Sequence, residues 1–141
     1  MRGPSSPQSA GDEMIVEKDF SLDKALMELK SEDVGAISFF IGSVRESPRK
    51  LEYLRFDFYE EMVEKKFSEI RNETEKRFDV KKVLILHRVG KLKVGENIML
   101  VAVSSPHRKE AFKALKFAVE EIKKIVPIWK KEVFRDEEVW V

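Results

Sequence analysis

The segment Ile98-Met99-Leu100-Val101-Ala102-Val103-Ser104 is a continuous run of apolar side chains that ends at a serine. Such a run is typical of a strand that is covered on both of its faces. Beyond Pro106 the pattern changes, because apolar residues then recur every three or four positions. The residues with this spacing are Ala111, Ala114, Leu115, Ala118, Val119 and Ile122. They predict an amphipathic helix that begins near His107.

The rest of the chain alternates between helical and strand-like patterns. The helical patterns run from Ser21, a good N-cap residue, to about Lys30 and over about 59–77. The strand-like patterns are residues 34–41, 51–58, 80–89 and 138–141, with a bend or short edge strand over 90–95. We expect the first strand to be covered on both faces and the second, which alternates, to be half-buried. Because strands and helices interleave without an internal repeat, the predicted fold class is α/β with a mixed sheet.

The length of 141 residues fits one domain with a sizeable core. Residues 1–13 contain almost nothing to bury, so we expect a disordered N-terminal leader there. The folded domain is therefore predicted to span residues 14–141.

The composition excludes several classes of chemistry. There is no cysteine, which excludes disulfides, thiolate nucleophiles and Cys-based zinc sites, and the two histidines are too few for a His-rich metal site. The net charge of +1, from 27 basic and 26 acidic residues, argues against a general nucleic-acid binder. No apolar run approaches the ~20 residues of a membrane span. We therefore expect a cytoplasmic protein, and its Lys/Glu-rich, Asn/Gln-poor composition resembles that of thermophiles.

Cationic side chains gather at the two ends of the predicted helix. His107-Arg108 lies where the helix should begin, and a helix N-terminus attracts anions through its free N–H groups and its dipole. Lys123 lies near the helix end, and Pro127 stops the helix, so Lys130 must lie on a separate segment. Alone, the His107-Arg108 pair is explained equally well by caps and carboxylate contacts at a helix start, and each lysine is better explained as surface charge. Their combination favours a site for an anionic, phosphate-bearing substrate.

Other residues are more ambiguous from sequence. Arg45 follows a strand and lies three positions after Gly42, where ligand-binding loops often lie in α/β folds, although a solvated loop arginine is the simpler interpretation. His87-Arg88 lies inside a strand, so we expect one of the pair to face solvent and a structural role. Lys123 borders the apolar stripe, which allows partial burial, and a partly desolvated lysine can act as a base or nucleophile.

Four stretches of the chain are similar to a known family. Residues 35–45, 87–90, 104–108 and 127–132 resemble the large, catalytic subunit of molybdopterin synthase, in the same order and at similar spacings. The resemblance covers nearly all of residues 14–141. It implies an α/β hammerhead-type fold and a homodimer that becomes a heterotetramer when a small ubiquitin-like subunit docks at each end. That partner carries a C-terminal Gly-Gly thiocarboxylate, and two sulfurs are transferred to cyclic pyranopterin monophosphate.

The resemblance also implies a set of site residues. The proposed catalytic residues are Lys123 and Lys130, and the proposed substrate-binding residues are Ser43, Val44, Arg45, His107, Arg108, Lys131 and Glu132. In the family, part of the pocket comes from the neighbouring subunit, so these residues need not meet within one chain. The resemblance implies neither a metal ion nor another cofactor for the transfer. Two departures are a short loop at 47–50 and the chain end at Val141, where many relatives continue with further basic residues.

Two alternatives remain at this level. The first is a non-catalytic anion-binding or adaptor domain of the same fold, against which the full set of cationic residues counts. The second is an RNA-binding α/β domain, which the near-zero net charge and the lack of aromatic pairs on a strand face disfavour.

Overall fold

The computed structural model describes residues 14–141, so the predicted disorder of residues 1–13 lies outside the described part of the chain. Within it are three helices, α1 (Leu22–Leu29), α2 (Glu60–Arg77) and α3 (Arg108–Ile125). The eight strands are β1 (Ile15–Val16), β2 (Ala36–Ser43), β3 (Tyr53–Asp57), β4 (Lys82–Arg88), β5 (Gly90–Leu92), β6 (Asn97–Ser105), β7 (Trp129–Val133) and β8 (Glu138–Trp140). This order confirms the predicted α/β fold class.

The strands form two four-stranded sheets rather than one. The first sheet has the order β1-β4-β6-β2 and is mixed, because β1 pairs with β4 in parallel and the other neighbours are antiparallel. The second sheet has the order β5-β3-β7-β8 and is antiparallel throughout. Of the two possibilities predicted for residues 90–95, a bend or a short edge strand, the structure has an edge strand over the first half, β5 (Gly90–Leu92), at one edge of the second sheet.

Helices cover both faces of the first sheet. One face packs against α2 and α3 in a core that includes Phe67, Val101 and Ala118. The opposite face packs against α1 through Leu29 and Leu100. The central strand β6 is therefore buried on both sides, as its uninterrupted apolar run predicts.

The strand β2 departs from prediction. We expected it to be covered on both faces, but Phe39 and Ile41 are 37% and 36% exposed. The reason is its place at the edge of the first sheet, where the small apolar core beneath α1 includes Ile37 but neither of these two residues. On the opposite face, Ser38 is buried and its hydroxyl donates to the Ala111 carbonyl of α3 at 2.8 Å.

The helix α3 connects the two sheets. His107 is its N-cap, and its apolar stripe, including Ala114 and Ala118, is buried against the first sheet. The helix ends at Ile125, before Pro127, whose ring nitrogen has no hydrogen to donate. The chain then enters β7, which pairs with β3 in the second sheet. Within residues 14–141, no helix combines the length and apolar character that a membrane span requires.

Candidate active site

A cavity of about 490 Å³ lies where the two sheets meet the C-terminal end of α3. Its size is within the range of ligand-binding pockets in proteins. Apolar side chains form most of the lining, and the side chains that carry polar atoms are Ser43, His87, Lys123 and Lys130. Three of these four are residues that the sequence analysis proposed for the site.

Lys123 reaches the cavity from the last turns of α3. Its neighbour Ile122 takes the buried position on the helix, with 3% exposure, and Lys123 itself is exposed at the open side of the cavity. The partial burial that the sequence allowed is therefore not found in the single chain. The Lys123 ammonium lies 5.9 Å from the ring centroid of Phe40, which is within the range of a cation–π contact.

Lys130 reaches the same cavity from β7. It is paired with Phe56 of β3, and directly opposed residues of antiparallel strands project to the same face of a sheet. Phe56 is buried and lines the cavity, so the pairing directs the half-buried Lys130 side chain toward it. The backbone of Lys130 is held from the other side, since its carbonyl accepts the Val141 N–H at 2.8 Å.

His87 lies at the closed side of the cavity and is 4% exposed. Three phenylalanine rings surround its imidazole, with centroid distances of 5.2 Å to Phe56, 5.7 Å to Phe58 and 6.5 Å to Phe67. Its Nδ1 lies 2.6 Å from the Arg88 carbonyl oxygen. Burial lowers the pKa of the His87 imidazole below its ordinary value, because the charged form loses hydration.

Arg88 is also buried, so the expectation that one member of the His87-Arg88 pair faces solvent is wrong. Its guanidinium donates to a Glu96 carboxylate oxygen at 3.2 Å and to the Asn97 and Glu17 carbonyls at 3.3 Å each. These partners come from the segment after β1, from the turn before β6 and from the first residue of β6. These bonds engage both terminal nitrogens of the guanidinium and tie the end of β4 to both neighbouring strands, while Arg88 Nε has no partner among residues 14–141.

Three predicted substrate-binding residues at the end of β2 and in the following loop, Ser43, Val44 and Arg45, have different surroundings. Ser43 lines the cavity, whereas Val44 is buried with Leu51 and Leu54 in the core of the second sheet. Val44 also exchanges backbone hydrogen bonds with the turn at 95–96. Arg45 is exposed and does not line the cavity. The structure thus gives Val44 a packing role and leaves Arg45 on the surface of the single chain.

The two residues after Lys130 lie outside the cavity lining. Lys131 is committed to an ion pair with Glu138 of β8, at 3.0 Å, and its ammonium lies 4.5 Å from the Trp140 ring centroid. Glu132 is half-buried and pairs with Leu54 of β3. Both residues therefore support the strand that carries Lys130.

His107 and Arg108 lie at the opposite end of α3 from Lys123. Fifteen residues separate Arg108 from Lys123 along one helix, which corresponds to about 22 Å. Both N-terminal residues are exposed, and neither lines the cavity. The turn that leads to them is fixed by Ser105, whose hydroxyl donates to the Asp79 carbonyl at 2.8 Å and accepts the His107 N–H at 3.2 Å.

A family model described as MoaE protein matches residues 15–125. The chain belongs to this family. The molybdopterin synthase catalytic subunit of Pyrococcus abyssi is 44% identical over 126 residues, which cover 88% of this chain and 85% of that protein. The corresponding subunit of Bacillus subtilis is 38% identical over 129 residues, which cover 90% of this chain and 82% of that protein. The family resemblance noted in the sequence is confirmed.

Solved structures of MoaE-family proteins have the same fold. The structure of molybdopterin synthase from Staphylococcus aureus has a TM-score of 0.87 and 39% identity, and covers 91% of this chain and 95% of that chain. A complex of subunits 1 and 2 of molybdopterin-converting factor from Helicobacter pylori has a TM-score of 0.79 at 22% identity, with 91% and 88% coverage. At that identity the second likeness shows the fold alone.

For this MoaE-family chain, sequence reasoning missed His87 as a residue of the cavity. The signal that could have found it is the apolar run that precedes it in β4, from Val83 to Leu86, because a polar residue at the end of such a run is buried with it. A buried polar residue needs a hydrogen-bond partner or a ligand. Among residues 14–141, no group of three or more His, Asp or Glu side chains is arranged to hold a metal ion.

Proposed function

We propose that this chain is the catalytic subunit of a molybdopterin synthase. In the proposed reaction it transfers two sulfurs from the C-terminal thiocarboxylate of a small ubiquitin-like partner to cyclic pyranopterin monophosphate, which forms the dithiolene of molybdopterin. The observation that carries the proposal is the meeting of Lys123 and Lys130 on one cavity. They come from different elements, α3 and β7, in a chain of the MoaE family.

The residues of the cavity suit a reaction that brings its sulfur from outside. The chain contains no cysteine, so no thiolate of its own can carry a persulfide. A thiocarboxylate sulfur is a nucleophile, and its attack forms a carbon–sulfur bond to the substrate while a carbon–oxygen bond of the same carbon breaks. The leaving oxygen belongs to the opening cyclic phosphate for one sulfur and departs as water for the other. The bond from that sulfur to the partner's acyl carbon then breaks, and the acyl end passes to water or to an amine. We assign Lys123 to proton transfer or to receiving this acyl end, and Lys130 to positioning the thiocarboxylate or the pterin.

The segment 127–132 is the proposed wall of the channel that receives the partner's tail. Trp129 is 48% exposed and makes an edge-to-face contact with Tyr59, with 5.8 Å between the ring centroids. This pair is an exposed aromatic surface on the face of β7 opposite Lys130, whereas Ile128 and Lys130 of the same segment line the cavity. Glycines fit such a channel because an extended strand without side chains passes through a narrow space.

We assign the phosphate of the substrate to Arg45, His107 and Arg108, supplied by a second copy of the chain. The distance of about 22 Å along α3 separates Arg108 from Lys123 of the same chain, which is too far for one small ligand to touch both. A homodimer removes this difficulty if it places one copy's α3 N-terminus against the other's cavity. With the small subunit bound at each end, the assembly would be a heterotetramer.

The test is a reconstituted reaction with the purified chain, cyclic pyranopterin monophosphate and the small subunit in two forms. The thiocarboxylated form should give product, and the carboxylate form should give none. Inorganic sulfide alone should not replace the thiocarboxylate, and a comparable rate with sulfide would contradict the proposal. Light scattering should give the mass of a homodimer alone and of a heterotetramer with the partner. A monomer that never binds the small subunit would refute the assignment.

A non-catalytic anion-binding domain of the same fold is the second candidate. It is favoured by the exposed positions of Arg45, His107 and Arg108, which could bind phosphate without any reaction. The same reconstitution separates the two functions, because this candidate binds the substrate and never consumes the thiocarboxylate.

A further inference from the structure

One polar group of the cavity has no role in the proposed function. His87 lines the cavity together with Lys123 and Lys130, yet it is almost completely enclosed by aromatic rings. A phenyl or aliphatic side chain would fill this space without the cost of burying polar nitrogens. The imidazole therefore calls for a polar partner on each of its nitrogens.

The first nitrogen has its partner within the chain. Nδ1 lies 2.6 Å from the Arg88 carbonyl oxygen, and a carbonyl oxygen can only accept a hydrogen bond. Nδ1 must therefore carry the proton, and in the neutral ring Nε2 is then an acceptor. The lowered pKa of His87 keeps the ring neutral near pH 7.

The second nitrogen is free to accept a hydrogen bond. No group among residues 14–141 donates a hydrogen bond to Nε2 of His87. The buried side-chain nitrogen and oxygen atoms without a partner in this part of the chain are Arg88 Nε and Ser104 Oγ, so Nε2 is not sealed inside the core. Because His87 is one of the residues that line the cavity, a ligand bound in the cavity is the donor that could reach Nε2.

An acceptor at this position complements the other polar groups. The ammonium groups of Lys123 and Lys130 can only donate, so they bind anions and carbonyl oxygens. We propose that His87 Nε2 accepts a hydrogen bond from a ring N–H of the substrate's pterin and so orients the heterocycle between the aromatic walls. This inference rests on the proposed function. The N–H groups of the partner's Gly-Gly tail are the competing donors, and the experiments below distinguish the two sources.

The first experiment uses the unmodified chain. With only two histidines, nitrogen-15 labelling of histidine gives a simple NMR spectrum, and His107→Gln assigns His87. We expect the free protein to show the proton on Nδ1 and an unprotonated Nε2. Cyclic pyranopterin monophosphate should shift the Nε2 resonance, whereas inorganic phosphate alone should not. A protonated Nε2, or a resonance that answers only to the carboxylate form of the small subunit, would overturn the inference.

The second experiment uses a pair of variants that each keep one half of the imidazole. In His87→Asn the side-chain amide can still donate to the Arg88 carbonyl, but nothing remains at the position of Nε2. In His87→Gln the longer side chain places an amide oxygen near that position and loses the Nδ1 donor. We expect His87→Asn to raise the KM for the pterin substrate about tenfold with little change in kcat. His87→Gln should keep the KM within about twofold while lowering the thermal stability.

A purely structural His87 predicts the reverse order, with His87→Asn the milder change in KM. That result, or an unchanged KM in His87→Asn, would overturn the inference about His87. The proposed function would still stand as long as the wild-type chain transfers sulfur. Absence of sulfur transfer by the wild-type chain would instead refute the proposed function. If neither variant folds, the resonance of the unmodified chain decides.

Discussion

The two ends of α3 carry similar charges in very different surroundings. At the C-terminal end, Lys123 joins Lys130 on a cavity whose walls are mostly apolar. At the N-terminal end, His107 and Arg108 are exposed, and neither lines that cavity. Charges interact several times more strongly near a protein surface or in its interior than in bulk water. The C-terminal end therefore gives its charges a partly enclosed setting within the single chain, and the N-terminal end would gain such a setting only if another surface covered it.

The largest expected effect is the loss of the amine at the C-terminal end. Lys123→Ala should lower turnover by at least the ~10²-fold that is typical of losing a proton-transfer group, with fold and assembly retained. Lys123→Arg should not restore it, because a guanidinium stays protonated and cannot act as a base. Single-turnover assays with thiocarboxylated partner measure the effect. Near-normal rates in either variant would return Lys123 to ordinary surface charge.

The next prediction asks whether the two ends work across a dimer. Arg108→Ala should lower activity at least tenfold through the loss of a charge-assisted contact to phosphate. If each site uses Lys123 of one copy and Arg108 of the other, a mixed dimer of the two inactive variants has one intact site. Random exchange of subunits makes half of the dimers mixed, so the mixture should recover about a quarter of wild-type activity. If activity does not recover although subunit exchange is verified, then Lys123 and Arg108 act in a site formed by one chain, or one of them is not part of the site.

Local patterns were enough to predict the central strand and its helix. The apolar run of β6 predicts a strand buried on both faces, and the helical spacing of α3 predicts a helix with one buried face. Pro127 predicts where the helix ends. The division into two sheets could not be predicted in this way. It depends on pairing between β3 and β7, which are more than 70 residues apart, and nothing in either strand's own pattern specifies that partner.

For the residues of the site too, local motifs could be predicted from the sequence, whereas surroundings built by distant segments could not. Lys123 and Lys130 were proposed from their motif, and the structure places both on one cavity. His87 was not proposed, because its surroundings come from β3 and α2, which contribute Phe56 and Phe67. The exposure of Phe39 was likewise missed, because edge position is a property of the sheet and not of the strand.

A third change disturbs the N-terminal end of α3 alone. A Cβ on Gly35 would lie 2.4 Å from the Pro106 carbonyl oxygen, and this contact is with backbone that cannot rotate away. Gly35→Ala should therefore displace the turn that carries His107 and cost about 1–3 kcal/mol of stability. The KM for the phosphate-bearing substrate should rise, while binding of the partner's tail stays unchanged. Thermal unfolding measures the stability, steady-state kinetics measures the KM, and titration with the small subunit measures binding of the partner's tail.

Gly42→Ala is the matched control for stability. A Cβ there would meet the Phe40 ring at 3.7 Å, which is ordinary van der Waals contact. Its unfolding midpoint should stay close to that of the wild type. Equal destabilisation by the two alanines would show that the close approach of Gly35 to Pro106 is not what matters.

A fourth change tests the channel at the C-terminal end. Trp129→Ala removes the exposed ring that contacts Tyr59 and should weaken association with the small subunit about tenfold, as expected for a tryptophan at an interface. Lys130→Ala should spare association and depress sulfur transfer. Arg108→Ala, at the other end of α3, should leave the affinity for the isolated small subunit unchanged. Calorimetric titration of the three variants distinguishes them, and a weaker complex with Arg108→Ala would contradict the separation of roles.

The smallest expected effect concerns the loop that follows Arg45. The Glu46 carboxylate accepts the backbone N–H groups of Ser47 and Leu51, each at 2.9 Å, and these bonds hold the pKa of Glu46 below its ordinary value of 4.5. A carboxylate with a lowered pKa stabilises the fold above pH 4.5, and this contribution is lost as the pH falls through the folded-state pKa. Glu46→Gln should therefore lower the urea midpoint slightly at pH 7, and the difference from the wild type should shrink toward pH 3. The exposed Glu52→Gln is the control for the loss of one charge. A difference that stays constant with pH, or that Glu52→Gln reproduces, would show that the carboxylate does not close the loop.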